Sequence, residues 1–217
     1  MDDKPVRMVT ALAGILMTAT VLAVIPLYFV YSGPPPVWNV LTRDLISLFT
    51  CAGLLVFIAG FSHLARRSSP AAEFPALLVA GAGFIFVAIT FMTTSLEAGV
   101  VFGAPQGGLD PTIDGPLAHA NMLAHGPIKR LITVILLFAA GYAAAPGRLL
   151  PAWIRWFGYL IALINLAFVP SLYFGTDPSR FYAVHSWGNA ALTASFLTYW
   201  ILAVSIALLM PRRKTPA

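Results

Sequence analysis

Six long apolar runs, separated by short polar or proline-rich breaks, set the pattern of the chain. They cover about 8–31, 44–64, 75–96, 128–145, 152–174 and 187–210. An α-helix rises about 1.5 Å per residue, so roughly 20 apolar residues cross the hydrocarbon of a bilayer. Lipid offers no water to an open backbone, which restricts such runs to helices. The pattern therefore predicts an all-α polytopic membrane bundle of six transmembrane helices forming one domain over 1–217. Pro26 and Pro170 fall within the first and fifth runs, where membrane helices tolerate proline. The fourth run is short, and Pro127 in front of it allows a start near Leu117 with a kink at the proline. The first run is too long for a secretory leader, follows Asp2 and Asp3, and lacks a small-residue cleavage pattern. It is expected to remain as the first helix.

Lysine and arginine are shared unevenly between alternate connections. Nine sit on one side: Lys4, Arg7, Arg66, Arg67, Arg148, Arg155, Arg212, Arg213 and Lys214. Four sit on the other: Arg43, Lys129, Arg130 and Arg180. Basic residues are retained in the cytoplasm, so both termini are expected there. Trp38 and Trp187 then mark the outer boundary and Trp153 and Trp156 the inner one. Lys129 and Arg130 are expected to extend along the helix surface to the headgroups. Glycines and alanines at positions 53, 60, 81, 83, 139–145, 158 and 162 offer close helix contacts.

Composition narrows the class further. The 217 residues are 59% hydrophobic and 10% charged, with mean hydropathy +0.84. A water-facing domain carries about 25% charged residues, so this chain cannot cover a solvated surface. Its formal charge of +5 lies in short clusters at the ends of apolar runs. That distribution suits anionic membrane lipid and excludes a nucleic-acid partner. Cys51 is the only cysteine, which removes an intrachain disulfide, a CxxC redox pair and a cysteine-rich metal site.

Ionisable residues are expected at the rims. Asp44 and Glu97 end the second and third runs on the outer side, His63 ends the second on the inner side, and Asn165 is the principal polar residue at depth. Ion pumps need protonatable groups inside the membrane, so this distribution argues against one. The outer connections are better furnished. The longest, 97–127, holds Glu97, Asp110, Asp114, His119, Asn121 and His125, and the last adds Asp177, Arg180, Tyr182 and His185. A structureless loop of that length is uncommon unless functional.

Three chemistries compete for these residues. His119, His125 and His185, with a nearby aspartate, are candidate ligands for a divalent metal; six residues apart, His119 and His125 would diverge by roughly 120° on a straight helix. Glu97, Asp44 and His185 are candidate acid–base groups, because a carboxylate at the membrane boundary is partly desolvated. Haem ligation is disfavoured, because no facing histidine pair partners His63; only the stretch from Ala118 to Leu123 looks faintly like a haem–copper-type helix entry. Asn121, Arg180, Tyr182 and Trp200 are candidate ligand-binding residues, although a mid-helix Trp200 equally suits helix packing. The plainer alternative is a polar outer cap whose acids and bases simply pair. No hydrolase, nucleotide-loop or metalloprotease motif is present.

The turn Gly147-Arg148 and the stretch Leu149-Leu150-Pro151-Ala152-Trp153-Ile154-Arg155-Trp156-Phe157-Gly158 resemble the inner connection of small multi-pass bacterial, actinobacterial-type membrane proteins of unknown function. The resemblance implies a helical bundle in a bacterial plasma (inner) membrane and carries no activity or site residue with it. Two functions remain open. One is an accessory, small-ligand or lipid-binding component with a polar extracytoplasmic cap, with no cofactor expected. Its partners would be membrane lipid, an apolar small molecule or another membrane protein. The other is a membrane-embedded enzyme, of acid–base isomerase or cyclase type or metal-dependent, acting on an apolar or lipid substrate.

Overall fold

The computed structural model describes residues 3–31, 33–104, 106–177 and 179–210. Six helices in it are long and apolar enough to cross a membrane: α1 Lys4–Tyr28, α2 Val37–Ser68, α3 Pro70–Gly103, α4 Ala118–Ala143, α5 Ala152–Phe174 and α6 Gly188–Leu209. The chain is thus a multi-pass helical bundle. All regular structure among the described residues is helical. Each helix packs on its neighbours in sequence, and α6 returns to α1. The ends of α1 and α6 meet where Arg7 donates to the Leu208 carbonyl at 2.9 Å. Arg67 of α2 joins the same end through Asp3, 3.3 Å away. Arg212, Arg213 and Lys214 lie outside the described residues.

The helices overrun the apolar runs that announced them. At 32 residues, α2 extends about 48 Å and begins at Val37, so Asp44 lies in its second turn and not at its tip. Helix α3 continues past Glu97 to Gly103. The connection expected over 97–127 shrinks accordingly to 104–117, because its first residues belong to α3 and its last ten to α4. Pro127 does kink α4: Gly126 adopts non-helical angles of φ −87° and ψ −114° within a widened turn over Ala124–Ile128. Proline lacks the N–H that would bond one turn back, so the ladder opens there.

Inside the ring, Trp200 of α6 is 2% exposed and donates its indole N–H to the Ile154 carbonyl at 3.1 Å. Its ring meets Phe61 edge-on at 6.3 Å, so it packs α6 against α5 and α2. Gly158 permits this, since a Cβ there would lie 2.8 Å from the indole nitrogen. Gly53, Gly60, Gly83 and Gly141 likewise face neighbouring helices, whereas nothing lies within 4 Å of a Cβ at Gly81. Outward-facing Leu12, Leu16, Phe84, Ile85, Leu160 and Leu163 are exposed, as an apolar belt requires. Helix α4 differs: 61% of its apolar window is buried, against 33–44% for the others. It is the span around which the polar groups gather.

Candidate functional site

All five buried charged side chains among the described residues belong to one half of the bundle: Arg43, Asp44, Glu97, Lys129 and Arg130. Rim placement fails here. The cause is local register. Asn121, His125 and Lys129 recur every fourth residue, which aligns them on one face of α4. That face turns into the ring toward Glu97 on α3, which lies within electrostatic reach of Arg43 and Asp44 on α2.

Glu97 is 6% exposed. Its Oε1 lies 3.6 Å from His125 Nε2 and accepts from Asn121 Nδ2 at 3.5 Å. The other imidazole nitrogen, Nδ1, is 3.3 Å from Lys129 Nζ. A carboxylate, an imidazole and an amine are therefore linked in series along α4. Lys129 does not reach for headgroups. Its ammonium sits 5.0 Å above the Phe86 ring, and Phe86 is near the midpoint of α3, so the amine lies near mid-bundle depth.

Arg130 is also turned inward, and its role is structural. It donates to the carbonyls of Gly126 at 3.4 Å and His125 at 2.9 Å, which occupy the opened turn. It also donates to Asn165 Oδ1 at 3.4 Å and to the Thr193 hydroxyl. One guanidinium thus braces the kink of α4 against α5 and α6. Asn165, itself donating to the Ile161 carbonyl at 2.9 Å, is a helix-bridging amide.

On α2, Arg43 is 3% exposed and lies 4.2 Å over the Tyr28 ring. Its Nε and Nη2 are buried with no hydrogen-bond partner among the described residues; the same holds for Asp44 Oδ2 and Asn121 Oδ1. Asp44 lies within electrostatic reach of Glu97 and Arg43. Leaving a buried donor or acceptor unpaired costs about 1–3 kcal/mol, so four such atoms in one region need a reason.

The last connection closes over this region. A Cβ on Gly126 would lie 2.8 Å from the Val184 carbonyl, so the kink packs directly on that segment. Asn189 donates to Ser171 Oγ at 2.8 Å, and Ser186 donates to the Phe181 carbonyl at 2.6 Å. Next to Val184, His185 is half-buried. Burial lowers its pKa, against the opposing pull of Asp110 and Glu97.

The sequence candidates divide accordingly. Glu97, Asn121 and His125 are in direct contact, and Asp44 and His185 lie within electrostatic reach of Glu97. His119 is exposed. Arg180 is exposed and pairs with Asp177 at 3.4 Å. Asp177 accepts from the Ser179 N–H and hydroxyl, which holds its carboxyl below the usual range. The Tyr182 ring packs against Phe168 and Phe174 at 5.2 and 4.8 Å, and its hydroxyl donates to the Ala167 carbonyl. Asp110 and Asp114 order their own turn through Thr112 and the Asp110 N–H. No group of three or more His, Cys, Asp or Glu side chains among the described residues could hold a metal ion, and the three histidines form no such group.

Arg43, Lys129 and Arg130 were missed as site residues. The fourth-residue spacing of Asn121, His125 and Lys129 was the available signal. The chain matches no protein-family model, no curated protein and no solved structure.

Proposed function

We propose that the chain is a bacterial plasma-membrane protein that binds an amphiphilic small molecule or lipid at the buried polar cluster of α2, α3 and α4. The head would lie among Arg43, Asp44, Glu97, Asn121 and Lys129, and the apolar tail among the helices. The observation that carries this reading is the burial of five charged side chains in one half of the bundle. Ionisable groups are costly inside a membrane protein and are kept where they handle a ligand or ion. Among the described residues, the buried polar side chains of the opposite half are hydroxyls such as Thr10, Ser62 and Ser205. A polar route that stops near mid-depth suits binding better than transport.

The polar cluster lies in the half of the bundle nearer the connections that contain Tyr31, Asp110 and Asp177, which we place outside the cell. Lys4, Arg7, Arg66, Arg67, Arg148 and Arg155 mark the other end. With Arg43, Lys129 and Arg130 removed from the loop count, Arg180 alone opposes them, which strengthens the case for cytoplasmic termini.

Organic extraction of the purified protein, followed by mass spectrometry, tests the binding reading. The wild type should carry an amphiphile above the background of empty micelles, and Glu97→Gln with Lys129→Met should release it. Equal content in protein and empty micelles would refute the reading. A second reading rests on the Glu97–His125–Lys129 series, which provides an acid and a base on one bound molecule. A lipid extract incubated with wild type should then yield a product absent with His125→Ala; identical extracts would remove that reading.

A further inference from the structure

The unpaired atoms of Arg43 identify the head of the ligand. A guanidinium has two edges able to make paired hydrogen bonds, and the side-on edge consists of Nε and Nη2. Both of these Arg43 nitrogens are buried and without a hydrogen-bond partner among the described residues. The remainder of the group is fixed: its plane lies over Tyr28 at 4.2 Å, and the side chain is 3% exposed. An arginine fork held in this way matches an oxyanion, whose two oxygens accept parallel bonds.

Charge balance points to the same class. The buried groups comprise three cations, Arg43, Lys129 and Arg130, against two carboxylates, Asp44 and Glu97. Glu97 is engaged by His125 and Asn121. The hydrogen-bond acceptors of Arg130 are all neutral: two carbonyls, an amide and a hydroxyl. Buried charges are stable when paired, and a single negative charge completes this set.

We infer that the side-on edge of Arg43 grips a carboxylate or phosphate, the anionic head of the amphiphile, in a bidentate contact. This rests on the amphiphile-binding reading and specifies its ligand. Asn39, one turn before Arg43, donates to the Leu27 carbonyl at 3.1 Å. It thereby fastens α2 to the end of α1, and Tyr28 beside it holds the guanidinium in place.

The test uses the full chain in neutral maltoside micelles. Thermal unfolding is followed with dodecanoate, dodecyl phosphate, dodecanol, dodecyltrimethylammonium, acetate and inorganic phosphate. Dodecanoate or dodecyl phosphate should raise the transition in wild type, whereas dodecanol and the ammonium amphiphile should not. Arg43→Gln should weaken the anionic amphiphile by about tenfold to a hundredfold, the usual worth of hydrogen bonds to a charged group. Arg43→Lys keeps the charge without the fork and should fall between. If Arg43→Gln does not fold, the head-group series on wild type and Arg43→Lys still decides the question.

Stabilisation by every dodecyl chain whatever its head would overturn the Arg43 assignment and leave the amphiphile reading intact. Stabilisation by acetate or inorganic phosphate as strongly as by the chains would keep the anion site and refute the amphiphile. No stabilisation by any probe would refute both.

Discussion

Single residues decide whether a buried charge braces the fold or serves a ligand, and Arg130 and His185 can be judged on that basis. Arg130 spends its donors on two α4 carbonyls, Asn165 and Thr193. Replacing it with Met removes a charge but leaves four acceptors without their donor. We expect Arg130→Met to lower stability by about 2–4 kcal/mol, measured by unfolding in mixed micelles; an unchanged transition would contradict the bracing role. His185 offers a pH test. Burial depresses its pKa in the folded chain below the unfolded value of about 6.5. Between those two values the unfolded state binds more protons, so stability rises with pH across that window. The contribution of the neutral ring is complete above about 6.5 and is lost as pH falls toward the folded value. His185→Gln should flatten this part of the stability curve, whereas an identical acid limb in both proteins would exclude His185 as its source.

Helix α4 shows what the sequence disclosed at the scale of an element and what it hid. The kink at Pro127 was legible, because a proline inside a helical run has few outcomes. The burial of Lys129 and Arg130 was not, since two adjacent cations after a proline look like a headgroup anchor. Their fate depends on the rotation of α4, fixed only when Asn121, His125 and Lys129 are read as one face. The same face brings Glu97 and His125 together and leaves His119 exposed. The rotation is held by close contact at Gly126, where a Cβ would lie 2.8 Å from the Val184 carbonyl. Gly126→Ala must displace a backbone oxygen and should cost about 1–3 kcal/mol. Gly81→Ala is the matched control: nothing lies within 4 Å of its Cβ, and alanine favours helix by roughly 1 kcal/mol over glycine. The two substitutions should move the unfolding transition in opposite directions. A parallel shift would show that the packing at Gly126 does not matter.

For the whole molecule, the number of spans was legible from hydrophobic length alone, because crossing lipid is a requirement on a continuous segment. Arrangement was not, since lipid-facing and helix-facing apolar residues have similar side chains. What separates them is polarity at particular positions, and here it concentrates in one half of the ring. That asymmetry makes orientation a functional question, because the proposed ligand would enter from the side on which Asp110 and Asp177 lie. Cys51 is the only cysteine, so Cys51→Ala gives a cysteine-free background. Single cysteines at Asp110 and Ser179 should then react with a membrane-impermeant maleimide on intact cells. Cysteines at Ser69 and Pro146, at the basic end with Arg66, Arg67 and Arg148, should react only after the membrane is opened. The reverse pattern would turn the polar half toward the cytoplasm and make cytoplasmic amphiphiles the proposed ligands, with the buried chemistry unchanged. Labelling of Asp110 and Ser179 from opposite sides would break the six-span arrangement itself, and the contact between Glu97 and His125 could not survive it.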